Sequence, residues 1–238
     1  MPPLTYGNSD IGLNRERNED NYLVANELGL FAVADGIGGL PYGEQASGMA
    51  VQCLKGWAEA NNGVCSEEHF LDALAFVNEA ITEEGEKLAE DTGIGSTISA
   101  IAVNGSSVIV GHVGDSSVFV FRKTGGGKLT TDHTIAQEIF DRLDPGDEMP
   151  DIPDYYHHSL TRCLGQQENF KPDAKTYELF DGDRLLACTD GITDLIGANE
   201  MQEMAMETDS PKDLVTNLIN IANQRGGHDN STAVAVYI

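Results

Sequence analysis

FAVADGIGG, residues 31–39, is the stretch whose reading decides the fold. Its opening residues are apolar, Phe31 and Val33 favour β-structure, and the run stops at Asp35-Gly36. A strand that ends in Asp-Gly delivers a carboxylate to the edge of a sheet. The glycine lets the backbone turn away and bring its own carbonyl close to whatever the carboxylate holds. LLACTDGIT, residues 185–193, repeats the design far downstream. Two such deliveries from distant parts of one chain read as two halves of one site.

The chain around this pair has 238 residues, enough to bury a full core within one domain, and we read it as a single domain over 1–238. Its 40% hydrophobic and 22% charged shares fit a globular protein. The charge is unusual: 14 basic against 39 acidic side chains give −25. That excludes nucleic acid as an expected partner, because such binding relies on phosphate neutralisation by Lys and Arg. It also argues against an anionic membrane surface. No apolar run reaches the ~20 residues needed to span a bilayer. The opening MPPLTYGNSDIG has no basic or apolar region of a secretory signal. Cys53, Cys65, Cys163 and Cys188 form no C-x-x-C pair and read as reduced thiols of a cytoplasmic protein.

Outward from FAVAD, residues 5–13 and 21–25 read as short strands flanking the polar elbow NRERNEDN. Apolar positions recur at helical spacing over 44–61 (Ala46, Ala50, Leu54) and 66–90 (Phe70, Leu74, Val77, Ile81), with Ser66 as N-cap of the second helix. Strands at 96–103, 107–113 and 117–122 are separated by short turns at Asn104-Gly105 and Gly114-Asp115, which predicts antiparallel neighbours. Residues 132–175 break the rhythm with a proline- and acid-rich excursion. Strands return at 174–180 and 183–190, helices at 199–207 and from Ser210-Pro211 to Arg225, and a last strand in TAVAVYI. Clustered helices beside strand runs favour an α+β fold with antiparallel sheets and helices packed outside.

Five aspartates share one placement, at a predicted strand edge beside Gly, Asn or Ser: Asp20, Asp35, Asp115, Asp190 and Asp229. Hard divalent cations take several oxygen ligands, and carboxylates from different strand ends can converge on them. Two such metals stabilise the attacking and leaving oxygens of a phosphoryl transfer. Asp-Gly and Asp-Asn are also ordinary turn dipeptides, so spacing alone leaves both readings open. Arg15 beside this region suits a bidentate grip on phosphate, or a local ion pair with Glu16 or Glu19. His157-His158 read as solvent-facing. There is no P-loop, EF-hand loop, G-x-S-x-G elbow or H-E-x-x-H.

The blocks RERNEDN, VADGIGG with GEQAS, GST (95–97), VGHVGDSSVFVFR, DHT (132–134), LTRCLG, TDGITDLI and GGHDNSTAVAV stand in order along the chain. In this the chain resembles the metal-dependent protein phosphatases of the PPM, or type 2C, family, in their short bacterial form. The resemblance implies a four-layer α-β-β-α sandwich of two antiparallel sheets flanked by helices. It implies hydrolysis of phosphoserine and phosphothreonine in proteins by a hydroxide bridging two manganese or magnesium ions, with a third ion in some members. By motif position, Asp35 would bridge both metals and Asp190 and Asp229 would complete one. Asp20 and the Gly36 carbonyl would serve the other, with Glu19 a weaker candidate. Asp115 with Asp190 would hold the third, Arg15 would clamp the substrate phosphate, and residues 133–160 would form a flap.

Ile37 departs from the animal members, which carry a His there. Ser117 removes an Arg that is usual after GDS, and His228 stands next to Asp229 where Pro or Arg is common. By resemblance a cognate Hanks-type Ser/Thr kinase is expected as partner, and the protein is expected to be a monomer. Two other readings stay open: a catalytically weak, phosphoprotein-binding regulatory module of the same fold, and a nuclease or phosphodiesterase using similar metals, which the negative charge disfavours.

Overall fold

The alternation of side chains in FAVAD sets the layering. Phe31 and Val33 join an apolar cluster between two sheets, whereas Leu30, Ala32 and Ala34 join a second cluster under two long helices. The computed structural model describes residues 3–144, 146–168 and 170–238. Among these, ten strands form, in chain order β1 (Leu4–Asp10), β2 (Asp20–Ala25), β3 (Leu30–Asp35), β4 (Ile98–Asn104), β5 (Ser107–Val113), β6 (Ser117–Phe121), β7 (Gly127–Lys128), β8 (Asp173–Glu178), β9 (Arg184–Cys188) and β10 (Ser231–Tyr237). One sheet runs β2-β3-β4-β5-β8 and the other β1-β10-β9-β6-β7. All their pairings are antiparallel.

Helices α1 (Gly43–Ala60) and α2 (Glu67–Leu88) cover the outer face of the first sheet through Ala50, Leu54, Phe70 and Leu74. Two short helices follow, α3 (Ile135–Phe140) and α4 (Asp190–Thr193); then α5 (Ala198–Glu207) and α6 (Pro211–Gln224) cover the second sheet through Met201, Leu214 and Leu218. The expected four-layer α-β-β-α sandwich is therefore the observed α+β fold. Small residues such as Ala32, Ala100, Ala187 and Ala233 stand in the strands, and β-branched residues crowd the space between the sheets. Ser66 and Ser210 cap their helices as the sequence suggests, accepting from His69 N at 3.1 Å and Asp213 N at 3.2 Å.

Three local expectations change. The Gly114-Asp115 turn does not close a hairpin: β5 lies in one sheet and β6 in the other, where β6 pairs with β9 and β7. Gly114 adopts φ +109°, and a Cβ there would lie 2.6 Å from Thr97 Cβ, so the chain crosses tightly over Thr97 between the layers. The first strand stops at Asp10, whose Oδ1 accepts from Gly12 N at 2.9 Å and turns the chain early. The 132–175 excursion is partly ordered. It opens with α3, capped by Thr134, and carries a 3-10 turn at Asp154–His157. An antiparallel bridge between Thr134 and Leu160 closes its base. Of the expected flap, Pro145 lies outside the described residues, as do Met1, Pro2 and Asn169.

Candidate metal centre

Both sheets bring carboxylates to the same end of the sandwich. Asp20 opens β2 directly across from Asp35, the last residue of β3. Asp190 follows β9 as the first residue of α4, and Asp229 stands just before β10. Asp115 sits in the crossing between the sheets. A cavity of about 850 Å³ opens among them, lined by Arg15, Asp35, Gly36, Asp115, Asp190 and Asp229. Asp20 does not reach that surface. It is buried, and its Oδ2 accepts from Thr189 Oγ1 at 2.8 Å.

The electrostatics are those of a crowded anionic site. Burial pushes Asp20 up to about 7 and Asp115 up to about 8. It holds Asp35 well above the usual carboxylate range, with the charges of Asp20 and Asp190 adding to the effect. Two buried oxygens, Asp20 Oδ1 and Asp190 Oδ1, have no hydrogen-bond partner. Buried carboxylate oxygens without partners are costly, and convergent oxygen donors of this kind suit a hard divalent cation. The residues present therefore fit the metals implied by the sequence.

The backbone beneath the carboxylates is fixed by side chains of the GST and HDN blocks. Thr97 Oγ1 accepts from Asp35 N at 3.0 Å, and Thr97 N and Ser96 Oγ each donate to Asp35 O at 2.8 Å. Asn230 ties the RERNED loop to the last strand. Its Oδ1 accepts from Glu19 N at 2.8 Å, and its Nδ2 donates to Ile11 O and Arg17 O at 2.9 and 3.0 Å. A side chain at Gly36 would force the backbone apart, since a Cβ would lie 2.4 Å from the Gly43 carbonyl.

Arg15 is not in the local ion pair weighed from the sequence. It donates through Nη2 to Asp229 Oδ2, from the other end of the chain. His158 is not simply solvent-facing either. It lines the cavity, with Nδ1 3.9 Å from Asp190 and 3.7 Å from Asp194, and those carboxylates, Asp190 first, push it up to about 9. Asp194 was not singled out from the sequence, although TDGITD places it one helical turn from Asp190. Burial and the Asp190 charge raise it to about 6. His158, Asp190 and Asp194 form a cluster that could itself hold a cation. His228 also lines the cavity, with Nδ1 3.4 Å from Asn14 Nδ2. Ile37 lines it as well and brings no proton donor in its side chain.

Comparison with known proteins shows the family. The family model described as Protein phosphatase 2C matches residues 13–231. Protein phosphatase PhpP of Streptococcus pneumoniae is 31% identical, over 96% of this chain and 94% of that protein. The S. agalactiae serine/threonine phosphatase structure superposes with a TM-score of 0.85 at 30% identity, covering 99% of each chain. The catalytic domain of serine threonine protein phosphatase PstP, solved with two manganese ions, gives a TM-score of 0.83 at 28% identity, covering 99% of this chain and 97% of that one. Matched end to end by sequence and fold, this chain belongs to the protein phosphatase 2C family, the metal-dependent protein serine/threonine phosphatases.

Proposed function

We propose that the chain releases phosphate from phosphoserine and phosphothreonine side chains of proteins, using two manganese or magnesium ions held by Asp20, Asp35, the Gly36 carbonyl, Asp190 and Asp229. One observation carries this reading: carboxylates from both sheets meet at one cavity beside Arg15, and a buried oxygen of Asp190 there and one of Asp20, paired across from Asp35, lack any protein partner. When bound there, the ions supply an activated water nucleophile and neutralise charge on the phosphoryl oxygens. Asp115 with Asp190 is the proposed seat of a third ion.

The protein's own groups do the rest. Arg15 is the one guanidinium lining the cavity among the described residues, and it binds the non-bridging phosphate oxygens with the donors not spent on Asp229. Fixed donors aimed at developing charge are the electrostatic part of such catalysis. Thr97 and Asn230 hold the backbone of Asp35 and Glu19, so the carboxylates keep their spacing as substrate arrives. Ile37 gives no proton to the leaving alkoxide, so that proton must come from solvent or from another group in the cavity. Residues 133–160 border the cavity through His158 and Leu160 and act as the flap of a single domain.

The physiological setting we propose is the cytoplasm, as a monomer opposing a Hanks-type Ser/Thr kinase; no described helix is long and apolar enough to cross a membrane. The decisive experiment is manganese-dependent phosphate release from a phosphothreonine peptide by the wild type and Asp190→Ala. The variant should lose turnover and bind fewer manganese ions. Full activity in Asp190→Ala, or of the wild type in excess chelator, would refute the reading.

A further inference from the structure

Against the Asp115 turn lies a second polar cluster, buried at its histidines and open at Asp173, that the chemistry above does not use. Its centre is His133 of the DHT block, 3% exposed. Two contacts join it to Gly114, the residue before Asp115. The His133 N–H donates to Gly114 O at 2.8 Å, and His133 Nδ1 accepts from Gly114 N at 3.1 Å. The second contact fixes the tautomer, because Nδ1 must be the bare nitrogen. Nε2 then carries the proton and donates to Asp173 Oδ2 at 3.0 Å. Arg162, whose Nη1 lies 3.2 Å from that nitrogen, donates to Asp173 Oδ1 and Lys171 O, each at 3.3 Å. The His112 ring closes the other side, its centroid 4.6 Å away, and its Nδ1 lies 2.9 Å from Ser99 Oγ.

The same residue stands at the root of the 133–160 segment. Thr161 N donates to His133 O at 2.8 Å, and Ile135 N donates to Ser159 O at 2.9 Å, so both ends of the segment meet at His133. One residue therefore joins three parts: its ring and its N–H hold Gly114 of the turn that presents Asp115, its carbonyl accepts from the base of the segment, and its Nε2 meets Asp173 on the edge strand β8.

We propose that His133 is a positioning residue: it clamps the Asp115 turn to the base of the 133–160 segment, so that the third-ion carboxylate and the cavity's border are held as one unit. This rests on the phosphatase reading for the role of Asp115, while the clamp itself is a matter of hydrogen bonds. A buried N–H that loses its acceptor carries the full desolvation penalty, so removing Nδ1 loosens the Gly114 amide while the backbone bond from His133 N to Gly114 O remains. Supporting groups of this kind typically change metal affinity or activity by about 10–100-fold.

Two near-isosteric variants separate the two ends of the ring. His133→Asn keeps an acceptor where Nδ1 stood and loses the link to Asp173. His133→Gln keeps a donor near Nε2 and loses the acceptor for Gly114. In the full chain, His133→Gln should weaken the weakest manganese-binding step by about 10–100-fold and lower kcat more than it raises KM for a phosphothreonine peptide. The Gly114 amide should exchange faster by NMR, with or without manganese. His133→Asn should stay near wild type in manganese titration and in Gly114 exchange. Equal impairment in both variants would reduce His133 to generic packing and overturn the proposal, as would wild-type manganese binding and Gly114 exchange in His133→Gln. If the wild type released no phosphate from the peptide, the proposed chemistry would fall, while exchange and manganese titration would still decide the clamp.

Discussion

Removing the Asn230 side chain tests how the site is built. Asn230 is 4% exposed and satisfies three backbone groups of the connection between β1 and β2: Glu19 N, Ile11 O and Arg17 O. Asn230→Ala deletes all three bonds and leaves the loop's groups facing a small hole. At a net ~1 kcal/mol for each bond, the expected loss is about 3 kcal/mol. For a chain of this size that corresponds to about 6–12 °C in Tm. Urea unfolding of the metal-free protein should show a lower midpoint with an unchanged slope, since the surface exposed on unfolding is the same. The loop also carries Arg15 and Asp20, so kcat/KM at saturating manganese should fall further than the unfolded fraction explains. Asn230→Asp is the sharper control: it keeps an acceptor for Glu19 N but turns an oxygen toward two carbonyls, and should be no better than the alanine variant. A loss below ~1 kcal/mol, the worth of a single net bond, with unchanged kcat/KM would refute the reasoning.

Metal and pH act together. The folded-state values of Asp20 and Asp115 are raised above the unfolded carboxylate range, so their contribution to stability is present at low pH and lost as pH rises through about 7 and about 8, and burial shifts Asp35 in the same direction. His112, lowered to about 3 by burial, works in the opposite direction, but only below its unfolded value near 6.5. The gain in Tm on adding manganese to chelated protein should therefore be larger at pH 8 than at pH 6, by differential scanning fluorimetry; an equal gain would count against the crowded-carboxylate account. Gly36→Ala puts a methyl 2.4 Å from the Gly43 carbonyl, and should cost about 1–3 kcal/mol in denaturant midpoints together with a fall in manganese affinity. Ser210→Ala removes the N-cap of α6, far from the cavity, and should cost ~1 kcal/mol while leaving kcat and KM at wild-type values.

What could be read from the sequence followed from local chemistry. The strands declared themselves by apolar alternation, the helix starts by Ser66 and Ser210, and the carboxylates of the candidate metal centre by aspartates at strand ends. What could not be read was whatever depends on partners far along the chain. Gly114-Asp115 says that the chain turns, but not that it leaves one sheet for the other; that depends on Thr97 lying beneath. Arg15 offered two local acids as partners, and its actual partner is Asp229. His158 sits in a stretch without periodicity, so nothing local places it over Asp190 and Asp194. The family blocks supplied the assignments that spacing could not, and Asp194 escaped because it lies just inside a block already explained by Asp190.

The carboxylates come from opposite sides of the seam between the sheets: Asp20 and Asp35 from one, Asp190 and Asp229 from the other. The width of that seam is set by Phe31, Val33, Val118, Leu185 and Val234, none of which lines the cavity. These side chains act as a caliper. On the proposed reading, the ionic radius the centre accepts is gauged by hydrocarbon thickness in the core as much as by the identity of its ligands. Preference between manganese and magnesium can then drift through substitutions that leave every charged residue in place.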